Sequence, residues 1–167
     1  MATGTLAITF SQKNTDRRSV SSLSSSTSSA QDTPQLPPLP IPIQTAIYDK
    51  DTGVELQSSL LVLNQHEQTF YFNNVSASSV VISPLQSFSA PVKLAYPQQT
   101  EADLLFLLKH DTDAFNRWEC QQRVSSHVIL EMTALGDAAT IRQAELPQHF
   151  VDAFKQALLS IKVTYIS

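Results

Sequence analysis

Gln68-Thr69-Phe70-Tyr71-Phe72-Asn73 is the stretch on which the fold turns. Phe70 and Phe72 point one way and Tyr71 the other, the period of a strand with one face buried. Working back, residues 54–63 read as another strand. Asp49-Lys50-Asp51-Thr52-Gly53 before it reads as a turn, with Gly53 supplying the positive φ that a tight turn requires. Ile41, Ile43, Thr45 and Ile47 share one face of an earlier strand. Leu6, Ile8 and Phe10 alternate with Thr5, Ala7 and Thr9 in the first one. Between those two lies a serine-rich run, 19–29, with almost no large apolar residue. It cannot bury enough surface to offset its ordering entropy, so disorder is expected. Residues 35–42 are proline-rich and expected to be extended. The pair reads as a linker that expands one loop.

Working forward, 80–82 and 92–96 are shorter strand candidates, separated by Pro84 and Pro91. Short strands with frequent turn signals favour a β-sandwich. Near Thr100 the period changes. Leu104, Leu107 and Leu108 recur at helical spacing, and Asp111-Thr112-Asp113 offers capping side chains ahead of a long helix. Phe115, Trp118, Val124, Val128, Met132 and Leu135 follow along it, and Gly136 is its expected stop. Pro147 suits a helix first turn. Phe150, Val151, Phe154, Leu158 and Ile161 then form an apolar stripe with little left in the chain to pack against. Strands first and helices second argue for two modules side by side, not for alternating α/β.

Composition sets outer limits. The chain has 167 residues, a net charge of -4 and a 42% hydrophobic share, enough for a real core. Mild acidity argues against nucleic acid, which needs clustered Lys and Arg. Arg17-Arg18 is an isolated basic doublet. Cys120 is the sole cysteine, which excludes an internal disulfide and a Cys-based zinc site and fits a reducing cytoplasm. No apolar run reaches transmembrane length, and no signal peptide is read at the N-terminus.

Motifs that carry chemistry are each outweighed by a plainer reading. His66-Glu67 opens like His-Glu-x-x-His, but Phe70 stands where the second histidine belongs, and the stretch is strand, not helix. Asp51-Thr52-Gly53 matches an aspartic-protease triplet, yet that chemistry needs two carboxylates sharing a proton in a buried site. An exposed hairpin turn is the better reading. His66, His110, His127 and His149 form no i, i+3 or i+4 pair. His110 closes a helix, where a cation would complement the dipole. Cys120 has no adjacent His or Lys and reads as a buried, inert thiol. Phe115 and Trp118 read as packing residues rather than a ligand platform. Catalytic, cofactor-binding and metal residues are therefore expected to be none.

Four stretches resemble bacterial aminopeptidase N. Leu39-Pro40-Ile41-Pro42-Ile43 with Ala46-Ile47-Tyr48-Asp49 is similar to the opening strand of that family's third domain. Residues 68–75 are similar to its central strand. Ser87-Phe88-Ser89-Ala90-Pro91-Val92-Lys93-Leu94 carries the most distinctive run. Leu105-Phe106-Leu107-Leu108-Lys109-His110 with Asp113-Ala114-Phe115-Asn116-Arg117-Trp118-Glu119, then Leu146-Pro147 and Val151-Asp152-Ala153-Phe154, resemble the first helices of its C-terminal domain.

The resemblance implies a mainly β chain: an immunoglobulin-like β-sandwich followed by α-helices, the beginning of an α-helical repeat domain. The expected segments are 1–13 for the first strand, 14–38 for the Ser/Pro-rich disordered insert, 39–98 for the sandwich, and 99–167 for a truncated start of the helical domain. It implies a non-catalytic structural domain of a zinc metallopeptidase that removes N-terminal residues, as a fragment lacking the zinc catalytic domain. Zinc would belong to that absent domain, so no cofactor is expected in this chain and no activity for it alone. The implied partners are the catalytic and helical domains of an aminopeptidase N, in cis or from an adjacent reading frame, with no nucleic acid and no membrane. A cytoplasmic location is expected. The alternative is a free-standing β-sandwich interaction module. A third reading, a small hydrolase built on Asp51 or Cys120, has only those isolated residues behind it.

Overall fold

A computed structural model describes residues 4–13, 37–75, 79–134, 136 and 145–159. It contains strands β1 (Gly4–Ser11), β2 (Ile41–Asp49), β3 (Glu55–Leu63), β4 (Glu67–Val75) and β5 (Val80–Pro84), and helices α1 (Glu101–His110), α2 (Ala114–Thr133) and α3 (Gln148–Leu159). The strands form two sheets, β1-β4 and β3-β2-β5. The chain divides into two compact units, one of Met1–Pro42 with Leu61–Ser76, the other of Ile43–Leu60 with Ala77–Ser167.

The first unit is built on the antiparallel β1–β4 pair. Leu6 lies opposite Phe72 and Ile8 opposite Phe70, so the apolar faces read from sequence meet one another. Phe10 packs edge-on against Phe70 at 6.2 Å between centroids. On the opposite face Thr9 and Thr69 pair through their hydroxyls at 2.8 Å, and Tyr71 is exposed. Beyond β1, the buried Gln12 clamps Leu39: its Nε2 donates to the Leu39 carbonyl (2.9 Å) and its Oε1 accepts from the Leu39 N–H (3.0 Å). That clasp ties the ends of the segment that holds the serine-rich run. The run itself, and the disorder expected of it, lie outside the described residues.

In the second unit, β2 pairs antiparallel with β5, Thr45 opposite Pro84 and Asp49 opposite Val80. Helix α1 opens on a reciprocal capping box: Thr100 Oγ1 accepts from Asp103 N (3.2 Å), and Asp103 Oδ2 accepts from Thr100 N (3.0 Å). Its Leu104, Leu107 and Leu108 are buried. They meet Ala46, Tyr48, Val81, Cys120, Val124 and Ala153 in one apolar cluster.

Two expectations change, at 92–96 and along α3. Residues 92–96 form no strand; Pro91 and Pro97 bracket them, and each removes a ladder donor. β2 is covered on both faces: Ala46 and Tyr48 are as fully buried as Thr45 and Ile47, because α1 and α2 supply a second apolar layer. α3 buries Ala153, with Phe150 and Ala157 packed beside it, so its working stripe is smaller than the Phe154–Leu158 line and Leu158 is left exposed. Trp118 is 51% exposed and packs against Phe115 at 5.7 Å between ring centroids. Leu135 and Ile161 lie outside the described residues.

Candidate functional site

The densest chemistry lies where the α1–α2 link meets β2 and β5. Asp111 ends α1: its N–H bonds the Leu107 carbonyl (2.9 Å), and its extended backbone breaks the helix. Two residues on, Asp113 begins α2, its carboxylate accepting from Asn116 N at 2.8 Å. The three-residue link therefore splits its labour. Asp113 caps, as the sequence suggests, whereas Asp111 turns inward and is 3% exposed.

There its carboxylate is saturated. Oδ1 accepts from Tyr48 Oη (3.0 Å), Gln86 Nε2 (2.9 Å) and the Asp113 N–H (2.8 Å). Oδ2 accepts from Ser83 Oγ. Ser83 in turn accepts from Asn116 Nδ2 (2.7 Å), which also reaches the Pro84 carbonyl (3.0 Å). Tyr48 Oη accepts from the Thr112 N–H at 3.0 Å, and Thr112 Oγ1 donates to Glu55 Oε2 at 3.0 Å. A buried carboxylate is costly unless its lone pairs are satisfied. Among the described residues no buried side-chain polar atom lacks a partner.

Burial, and then the Asp111 charge, push the Tyr48 hydroxyl up to about 12. Burial first, with Asp111 adding to it, does the same to the Cys120 thiol, also about 12. Such groups keep their protons, so neither Tyr48 nor Cys120 is an activated nucleophile. Ser83 spends its proton on Asp111 and is wholly buried, so no substrate reaches it. The arrangement is a polar weld between sheet and helices rather than a reaction centre.

The other sequence candidates stay apart from it. Asp51 lies in the exposed 49–53 turn, where its N–H bonds the Asp49 carboxylate (2.9 Å). His66 and Glu67 stand at the start of β4. His110 does close α1, but burial and the neighbouring Lys109 lower its pKa, which disfavours the cation that would complement the dipole; its ring lies tilted against Phe106 at 4.7 Å between centroids. Among the described residues no group of three His, Cys, Asp or Glu is placed to hold a metal. The weld itself was missed. Its one sequence signal was Tyr48, a hydroxyl-bearing ring on the side of β2 opposite Ile43, Thr45 and Ile47.

A domain model described as DUF3458, a domain of unknown function with an Ig-like fold, matches residues 2–97. The chain belongs to the DUF3458 family. Its C-terminal companion, DUF3458_C, described as ARM repeats, matches residues 101–164. Similarity to bacterial aminopeptidase N runs through the same region. The chain is 34% identical over 148 residues to "Aminopeptidase N" of Escherichia coli, covering 84% of the chain and 17% of that protein. It is 36% identical over 91 residues to "Aminopeptidase N" of Haemophilus influenzae, covering 50% of the chain and 10% of that protein. A crystal structure of Legionella pneumophila aminopeptidase A in complex with aspartic acid superposes with a TM-score of 0.59 at 35% identity, over 75% of this chain and 14% of that one. The DUF3458 chain thus spans less than a fifth of the length of these relatives. The expected immunoglobulin-like fold followed by helices stands.

Proposed function

We propose that this DUF3458 chain is non-catalytic architecture of an aminopeptidase N-type zinc metallopeptidase, an immunoglobulin-like spacer carrying the first helices of the C-terminal domain. The observation that carries the reading is the Asp111 weld. Tyr48 of β2 and Ser83 of β5 both donate to Asp111 and so join the strands to the α1–α2 link, with Gln86 and the Asp113 N–H completing the set. Fixing where a helical layer stands relative to a strand layer is what a spacer has to do, since domain placement governs access to a catalytic chamber without touching its chemistry. Zinc, in this reading, belongs to a catalytic domain elsewhere. Among the described residues no group of three His, Cys, Asp or Glu is placed to hold it. The partners would be the catalytic and remaining helical parts of such an enzyme, in cis or from an adjacent reading frame. The location would be cytoplasmic; among the described residues no helix is long and apolar enough to cross a membrane.

The test uses the purified chain with an alanyl arylamide substrate and elemental analysis. No hydrolysis above buffer and zinc well below one per chain are expected. Metal-dependent turnover by the pure chain would overturn the reading. The alternative, a free-standing interaction module, draws on exposed apolar side chains at the end of α2 (Ile129, Leu130) and of α3 (Leu158, Leu159). A native product at the chain's own mass in lysate would favour it, and one of full aminopeptidase size would favour the spacer.

A further inference from the structure

Beside the weld, within the same compact unit, an open cleft of about 460 Å³ is lined by Leu60, Gln86, Ser87, Thr112 and Asp113 among others. Gln44 and Ser89 also line it and keep donors, since the Gln44 amide gives one N–H to Ser58 Oγ (2.8 Å) and Ser89 Oγ accepts from Gln44 N (3.0 Å), but acceptors predominate. Gln86 is 6% exposed. Its Nε2 donates to the Asp111 carboxylate, which can only accept, so the amide orientation is fixed and Oε1 is its other end. Among the described residues no hydrogen bond reaches Oε1 and no buried side-chain polar atom lacks a partner, so this carbonyl keeps some exposure on a residue that lines the cleft. Ser87 donates its proton to Asp113 Oδ2 (3.0 Å), and Thr112 donates its own to Glu55 Oε2 (3.0 Å). These hydroxyls can therefore offer the cleft only lone pairs. Asp113 adds a carboxylate, and no Lys or Arg lines the space. The wall is also held under tension: Leu85, Ser87 and Phe88, none of them glycine, have φ of 61°, 56° and 51°.

We propose that this cleft binds a guanidinium group. A planar fork of N–H donors suits a carbonyl and a carboxylate presented together, and Leu60 on the exposed rim suits the apolar stem behind it. The N-terminus of α2 opposes a cation by about half a charge. The full charge of Asp113, at the same position, outweighs it. The proposal is independent of the spacer reading.

Amide resonances of the ¹⁵N-labelled full chain are to be followed while ethylguanidinium, a capped Gly-Arg-Gly peptide and its citrulline counterpart are added. The guanidinium probes should give saturable shifts at Ser87, Thr112 and Asp113, with affinities in the millimolar range for so small a contact. Asp113→Asn keeps a good helix cap but removes the charge, and should weaken binding about tenfold or more. Leu60→Lys, which places a like charge on the rim without touching the weld, should do the same. Tighter binding of the peptide than of ethylguanidinium points to an arginine side chain on a polypeptide; equal binding points to a small guanidinium compound. No saturable shifts, equal response to citrulline, or indifference to Asp113→Asn would each overturn the proposal.

Discussion

Tyr48→Phe isolates the weld with the least disturbance of shape. The ring is fully buried and packs edge-on against Phe106 at 6.4 Å, so phenylalanine leaves no cavity. What goes is one hydroxyl. Its bond to the Asp111 carboxylate, 3.0 Å, is charge-assisted and contributes about 1.5–3 kcal/mol. The Thr112 N–H, which donates to the same oxygen at 3.0 Å, loses its acceptor for about 1 kcal/mol more. The expected loss is about 2–4 kcal/mol, a large part of the 5–15 kcal/mol a domain typically has. At about 2–4 °C per kcal/mol for a chain of this size, Tm should fall by about 5–15 °C. Urea and thermal unfolding followed by circular dichroism would measure it. A double-mutant cycle with Asp111→Asn should return a coupling of about 1 kcal/mol or more. A loss under about 0.5 kcal/mol, or strict additivity, would show that the Tyr48–Asp111 bond does not hold the strands to the helices.

Gly53 has φ of 73°, and a Cβ there would lie 2.4 Å from His110 Nδ1. Gly53→Ala should cost about 1–2 kcal/mol from the backbone alone, and adding His110→Ala should recover only what exceeds it in denaturant titrations. Arg117 donates through Nε to the Leu108 carbonyl (3.2 Å) and through its guanidinium to the Ala157 carbonyl (3.1 Å), capping the last turns of α1 and α3 together. Arg117→Met should cost about 1–2 kcal/mol, read as a lower Tm, with Arg117→Lys recovering less than half because a point charge cannot span both carbonyls. The raised pKa values of Tyr48 and Cys120 set an alkaline limit. Both groups hold their protons in the fold at pH values where the unfolded chain has lost them. Stability is therefore full below the unfolded values, 10.0 for Tyr48 and 9.0 for Cys120, and declines as pH climbs toward about 12. Tyr48→Phe should flatten that decline above pH 10.0, and Cys120 should resist a disulfide reagent at neutral pH until the chain unfolds.

Alternation and helical spacing are local properties, and where a residue's partner lies on a neighbouring element of ordinary geometry they suffice. Leu6, Ile8, Phe70 and Phe72 face one another in β1 and β4 because a strand's period leaves them no other common side. Leu104, Leu107 and Leu108 are buried because 3.6 residues per turn puts them on one stripe. Asp113 caps α2 because a short carboxylate ahead of an apolar run satisfies free N–H groups wherever it occurs. The failure at 92–96 was local too: the stretch reads as a short strand candidate, but it lies between Pro91 and Pro97 and joins no ladder.

The weld was beyond any such reading. Tyr48 meets Asp111 across 63 residues and Ser83 meets it across 28. Alternation puts Tyr48 on the face opposite Ile43, Thr45 and Ile47, and cannot say that a helical layer will cover that face. Asp111 looked like one of three interchangeable capping residues because composition carries no direction. Sequence by itself determined β1 to β5, the three helices, their order and most of their apolar faces, since these follow from short-range sterics and periodicity. Only the tertiary structure decided which polar groups would be taken out of water together, since the cost of burying a carboxylate is offset only when donors from distant segments converge on it.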